Sequence, residues 1–274
     1  MDTKSIVLTG ATGGLGKVIL IESLKRGHRV FMINRSLHRT KELLSDSEIR
    51  KFKDSIDFFI ADFSSQEWLT EFKEQVQIKE FNASVLINNA AINTPIGNTW
   101  EVNINELKAH FAINFFTPVS LMYLLIPHFI NQGGGAIINI SGGGATKPMP
   151  YFSPYAASKT ALVRLTENLA LELKDLNVSV NAVAPGFLAT KIHDDSISET
   201  SKLPVDIKHS IIQELQSGGH DPLKAATLII KIFENPNLKF SGNLLSAIWD
   251  QISDPLLASN TLNSSRFKLR RVEK

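Results

Sequence analysis

The chain contains no cysteine, which excludes disulfides, thiolate metal sites and a cysteine nucleophile. Long hydrophobic runs are missing too. The greasiest stretch, Leu121 to Ile130, includes Pro127 and His128 and reads as falling short of a membrane span. The apolar segment Ser5 to Thr9 is too short for the core of a signal peptide. Charge of one sign is also scarce. With 29 basic and 27 acidic residues the net charge is +2, giving no global electrostatic case for nucleic acid or an anionic membrane. The excess sits in the last ten residues, where Arg266, Lys268, Arg270, Arg271 and Lys274 face Glu273, a local +4 that leaves −2 elsewhere. These absences lead us to expect a cytoplasmic protein with neither nucleic acid nor membrane as partner.

What is present suits a packed domain: 274 residues, 43% hydrophobic and 20% charged. Short apolar runs alternate with longer amphipathic segments. The runs Ser5–Thr9, Arg29–Ile33, Ser55–Ala61, Ser84–Asn88, Ala136–Ser141 and Val178–Ala184 read as strands, several of them apolar throughout, as in parallel sheets covered on both faces. Between them Gly16–Arg26, Thr40–Lys53, Gln66–Lys79, Asn105–Asn131 and Ser153–Lys174 read as helices. This alternation predicts an α/β fold with a doubly wound parallel sheet of Rossmann type, in a single domain. Further helices are expected at Val205–Gln216 and Pro222–Glu234, and a last strand at Asn243–Ile248. The polar segment Asp194–Pro204 reads as a mobile loop, making residues about 187–220 a candidate substrate lid.

The first chemical motif is Thr9-Gly10-Ala11-Thr12-Gly13-Gly14-Leu15-Gly16, placed between the first strand and the first helix. Glycine there lets the backbone turn sharply and approach a pyrophosphate, whose charge then sits at the helix amino terminus. The second is Tyr155-Ala156-Ala157-Ser158-Lys159. Four residues apart on a helix, Tyr155 and Lys159 share one face and can meet at a ligand. A tyrosine of pKa near 10 is a poor base. A neighbouring ammonium and an oxidised nicotinamide ring are both expected to lower that value and make Tyr155 a general acid or base.

Read as Thr-Gly-x-x-x-Gly-x-Gly, the glycine motif resembles that of the short-chain dehydrogenase/reductase family. Asn88-Asn89-Ala90-Ala91 is similar to the family's Asn-Asn-Ala-Gly, and Asn114 to its helix-interrupting asparagine. Tyr155 and Lys159 match Tyr-x-x-x-Lys, while Asn181 to Gly186 with Thr190 matches the Pro-Gly segment and its nicotinamide-contacting threonine. The resemblance runs in order from Ser5 to Thr190. It implies an oxidoreductase that passes a hydride between a nicotinamide and a small-molecule carbonyl or secondary alcohol. In that family the tyrosine exchanges the proton, the lysine tunes it and holds the ribose, and the asparagine anchors a relay water. It implies cofactor contacts at Gly10, Thr12, Gly13, Gly14, Leu15, Gly16, Asn89, Ala90, Tyr155, Lys159, Pro185, Gly186 and Thr190, and an adenine-contacting pair at Asp62 and Phe63. It also implies a homodimer or homotetramer built on the long helices.

One position departs from the pattern. The family serine is expected thirteen residues before Tyr155, where this chain has Gly142. Ser141 lies one residue early, where strand alternation aims it at the opposite face. The glycines that follow could bring Ser141 round, offer a backbone N–H instead, or leave carbonyl chemistry impaired. The alternatives are therefore a cofactor-binding sensor or structural subunit and, from the Gly-x-x-Gly-x-x-Gly spacing that the same letters allow, a sugar-nucleotide epimerase or dehydratase.

An acidic residue about 20 positions beyond the glycines would bind the ribose 2′-OH of NAD. Position 34, at that distance from Gly14, is asparagine and is followed by Arg35, whose planar fork can pair with a 2′-phosphate. NADP is the expected cofactor, with NAD possible. The seven histidines show no His-x-x-x-His spacing, and His193-Asp194-Asp195 is a weak cation candidate, so no metal is expected. Trp68, Trp100 and Trp249 read as core or interface residues.

Overall fold

A computed structural model describes residues 2–65, 67–75, 81–189 and 203–270. Seven parallel strands form one sheet in the order β3-β2-β1-β4-β5-β6-β7. They are β1 (Ser5–Thr9), β2 (Arg29–Asn34), β3 (Ile56–Ile60), β4 (Val85–Asn88), β5 (Gly135–Ile140), β6 (Val178–Ala184) and β7 (Leu244–Ser246). Both faces are covered, which is why the strands carry so little polarity. On one face α1 (Gly14–Lys25) and α8 (Pro222–Glu234) pack Ile19, Leu20, Ala225 and Ile229 against Ile6, Leu8 and Met32. On the other, α5 (Thr117–Asn131) and α6 (Ser153–Glu172) pack Leu121, Leu125 and Leu162 against Val7, Leu86 and Ile137. Strand order reverses between β1 and β4, so their carboxyl ends diverge and open the crevice where such sheets bind ligands.

Strand positions follow the expected alternation, with ends shifted by a residue or two. The segment expected as one helix over Thr40–Lys53 is two pieces. Helix α2 spans Leu37–Ser45, its start capped by Ser36 Oγ accepting from Arg39 N, and a 3₁₀ helix follows at Arg50–Ser55. The break comes at Asp46, whose carboxylate accepts from Glu48 N and from Lys17 Nζ and so draws the backbone out of the helix. Helix α3 (Trp68–Gln75) accounts for part of the expected Gln66–Lys79; Gln66 and residues 76–80 lie outside the described residues. So do Thr190, the discounted group His193-Asp194-Asp195 and residues 194–202 of the expected loop. Helix α7 covers Val205–Gln216 as expected, and α9 is a short helix at Asp254–Leu257.

Helix α4 (Ile104–Phe111) runs through a π-helical turn, Ala112–Phe116, into α5. This run of 28 residues is longer than the greasy stretch read from the sequence and is long and apolar enough to cross a membrane by length and composition. Here its α5 portion lies on the sheet, with Leu121, Leu125 and Phe129 buried. Trp68 is buried in the core, whereas Trp100 and Trp249 are each 81% exposed. The described part of the basic tail, residues 265–270, folds back. Phe267 O accepts from Leu244 N, covering the free edge of β7, and buried Glu167 of α6 accepts from Leu269 N and Arg270 Nη1.

Candidate active site

The glycine motif forms the β1–α1 turn. Gly10 sits at φ +72° and Gly14 at φ +52°, in the left-handed region that favours glycine. Thr9 Oγ1 accepts from Asn89 N and Ala90 N, and Asn89 Nδ2 donates to Thr9 O and Gly10 O. The two loops are thus stitched together across the switch point. Gly16 packs so closely that a Cβ would lie 2.1 Å from Gly10 O, whereas a Cβ on Gly13 would meet nothing within 4 Å. The first turn of α1 has no side-chain cap, leaving the N–H groups around Gly14, Leu15 and Gly16 for a ligand. An open glycine cradle at an uncapped helix start fits a dinucleotide's pyrophosphate.

The second strand delivers Asn34 inward. Its Oδ1 accepts from Ala11 N at 2.8 Å and its Nδ2 donates to Thr40 Oγ1, so the side chain braces the glycine loop against α2. Arg35 is exposed beside it. Asp62 turns its carboxylate to Ser64 N and Oγ, which hold it below its ordinary pKa. Phe63 is buried edge-on against Trp68, ring centroids 5.0 Å apart, leaving only its backbone for an adenine. Gly186, at φ +86° just past β6, follows Pro185 and packs under Ile248 and His220.

Helix α6 carries Tyr155 and Lys159 in its first two turns. Lys159 is 2% exposed; its Nζ donates to Ile140 O at 2.8 Å and lies 5.8 Å from the Tyr155 ring centroid. Burial of the phenol works against the expected depression of its pKa. Loss of solvation pushes Tyr155 up to about 12 and Lys159 down to about 8. The ammonium is spent on the Ile140 carbonyl and is itself costly to bury, so it does not force the phenol to ionise. Tyr155 therefore holds its proton at neutral pH, as a donor must.

Position 142 faces this phenol. A Cβ on Gly142 would lie 2.4 Å from Tyr155 Oη. Ser141 is 2% exposed, and its Oγ has no hydrogen-bond partner among the described residues; it does not take that place. Gly142→Ser must move the phenol rather than complete the site. We expect it to lower kcat by roughly tenfold or more; a rise in kcat on any carbonyl substrate would contradict this packing.

Asn114 lies in the π turn that separates α4 from α5, where Thr117 N and Oγ1 both reach Ala112 O. Its amide grips Ile92 through both backbone groups and lies 3.4 Å from Ser158 Oγ. The structure thus brings Asn114, Tyr155 and Lys159 to one end of the sheet, with the glycine loop alongside at β1. Two polar residues the sequence reading passed over join them: Ser158, between Tyr155 and Lys159, and buried His110, one turn before Asn114. The four-residue spacing of His110 and Asn114 was the only signal in the sequence.

Comparison with known proteins agrees with this geometry. The short chain dehydrogenase family profile matches residues 4–201. A benzil reductase of the (S)-benzoin-forming kind from Bacillus subtilis is 30% identical over 68% of this chain and 75% of its own. A 3-oxoacyl-(acyl-carrier-protein) reductase from Thermotoga maritima is 26% identical over 89% of this chain and 96% of its own. Among solved structures, ElxO with NADP bound superposes with a TM-score of 0.75 at 26% identity, covering 90% of this chain and 97% of its own. Motif order, sheet topology and profile coincide over most of the chain, which belongs to the short-chain dehydrogenase/reductase family of oxidoreductases.

Proposed function

We propose that this chain is an NADP(H)-preferring carbonyl reductase of small molecules, with Tyr155 as the proton donor. The observation that carries the reading is the neutral phenol of Tyr155 beside buried Lys159, at the sheet end that also holds the glycine cradle. A bound nicotinamide supplies the hydride. Tyr155 Oη gives its proton to the developing alkoxide, and Lys159 limits the cost of the phenolate left behind. Asn114, fixed to Ile92, holds the kinked helix against α6. The loop around Gly10, Thr12, Gly13 and Gly14 would hold the pyrophosphate, and the segment around Pro185 and Gly186 would flank the nicotinamide. The reductase names of the relatives and the NADP in ElxO support this over a binding-only subunit or an epimerase. Exposed Phe116 and Tyr123, on the π turn and α5, support a homo-oligomer formed through these helices.

The cofactor preference rests on Arg35. With Asn34 committed to the glycine loop, no carboxylate stands at this position to repel a 2′-phosphate, and exposed Arg35, which also attracts the Asp62 carboxylate, can pair with one. Arg35→Ala is expected to raise the KM for NADPH about tenfold or more while leaving that for NADH within about twofold. Equal loss with both cofactors would remove Arg35 from this role. The function itself is tested by a panel of carbonyls and alcohols with each cofactor, read as nicotinamide consumed per product formed. One-to-one consumption on reducible carbonyls is the expected result, and binding without turnover across the panel would refute it.

A further inference from the structure

His110 is fully buried on α4 and joins three segments of the site. Its Nδ1 lies 2.7 Å from Thr94 O, in the loop after β4. A carbonyl only accepts, so Nδ1 carries the proton and Nε2 of the neutral ring is an acceptor. That acceptor faces Asn114 Nδ2 at 3.0 Å and Ser158 Oγ at 3.2 Å. The Asn114 amide has two hydrogens, one already on Ile92 O at 2.7 Å, and the second is placed for His110. Ser158 Oγ donates its one hydrogen to Tyr155 O at 2.8 Å and offers none to Nε2, so the ring meets α6 through the edge-on contact of His110 and Tyr155, centroids 6.5 Å apart.

The charged form of His110 has little support. Burial holds its pKa below the ordinary value, and the Lys159 ammonium acts the same way against the carbonyls of Thr94 and Pro154. A protonated Nε2 would also point a hydrogen at the Asn114 amide donor and break that bond.

We infer that His110, as the neutral Nδ1–H tautomer, is a positioning residue for the reduction. It ties the amide of Asn114 to the loop after β4 and holds its own ring edge-on against Tyr155 of α6. This rests on the reading of Tyr155 as proton donor. A phenol displaced by about 1 Å loses on the order of 100-fold in rate, so a ring held in place edge-on against it acts on kcat rather than on cofactor binding.

The test has two arms. Long-range imidazole nitrogen NMR on the intact wild-type chain should show His110 protonated on Nδ1 at neutral pH; an Nε2–H tautomer overturns the inference even if every variant fails to fold. In kinetics, His110→Phe keeps the ring's bulk and removes both hydrogen bonds, while His110→Gln keeps one donor and one acceptor. His110→Phe should lower kcat roughly tenfold or more with the KM for NADPH within about twofold, and His110→Gln should recover most of the loss. Full activity in the Phe variant, or a Gln variant no better than Phe, assigns His110 to packing alone and overturns the proposal. Wild-type protein that binds NADPH yet reduces nothing refutes the functional reading instead, and the NMR arm still reports on the ring.

Discussion

Tyr155→Phe should reduce kcat for carbonyl reduction by about 100- to 10,000-fold, the range over which a positioned general acid contributes, and leave NADPH affinity within about twofold. The substitution removes one oxygen from a ring whose position is set by its neighbours on α6, by the Lys159 stem and by the edge of His110. Among the described residues no other group is set to take over the proton. Lys159 Nζ, 5.8 Å from the ring centroid, is turned to the Ile140 carbonyl, and Ser141 Oγ is enclosed without a partner among the described residues. Because burial keeps the phenol neutral up to a pKa of about 12, the proton is available through the neutral range. Stopped-flow binding together with steady-state rates separates the two effects. Turnover retained in the Phe variant on a true substrate would deny Tyr155 its role.

The second large effect lies in the cofactor cradle. Gly16→Ala would put a methyl 2.1 Å from Gly10 O and 2.7 Å from Asn89 Nδ2, inside the distance at which any atoms rest. The loop cannot simply retreat. Gly10 N is bonded to Ile33 O, and Asn89 Nδ2 holds the carbonyls of Thr9 and Gly10 from the other side. Overpacking of this kind costs about 1–3 kcal/mol, a fall in Tm of roughly 3–10 °C for a domain of this size, and misplaces the N–H groups that would hold the pyrophosphate. Gly13→Ala is the matched control. Gly13 is extended, with open space where its Cβ would go, so that variant should keep its Tm while weakening NADPH binding through the space the ligand needs. Thermal melts with and without NADPH distinguish the two. An unchanged Tm in Gly16→Ala would contradict the packing.

Most of the fold was legible because parallel strands buried on both faces are largely apolar, and the cores of β1 and β2, Ile6–Leu8 and Val30–Ile33, stand out between amphipathic segments. The glycine motif and the Tyr155–Lys159 pair were legible for a similar reason, since both are local spacings. What sequence could not give is set by tertiary neighbours. Asn34 falls at the position expected to meet a ribose, yet its amide is taken by Ala11 N and Thr40. Phe63 follows Asp62 in the expected pair, but Trp68 and the core claim its ring. Burial of the phenol, which no local spacing shows, works against the pKa depression expected from Lys159 and an oxidised nicotinamide ring. Leu269 and Arg270 of the basic tail, which composition alone leaves in solvent, find the buried carboxylate of Glu167 about a hundred residues upstream.

The most direct test of the central claim is isotopic. NADPH bearing deuterium on the reactive carbon of its nicotinamide is mixed with a carbonyl substrate, and the product alcohol is examined by mass spectrometry and NMR. Direct hydride delivery with proton donation from Tyr155 predicts one deuterium on each carbinol carbon and one oxidised nicotinamide per alcohol formed. Deuterium lost to water, or product formed with no net nicotinamide consumed, would contradict it.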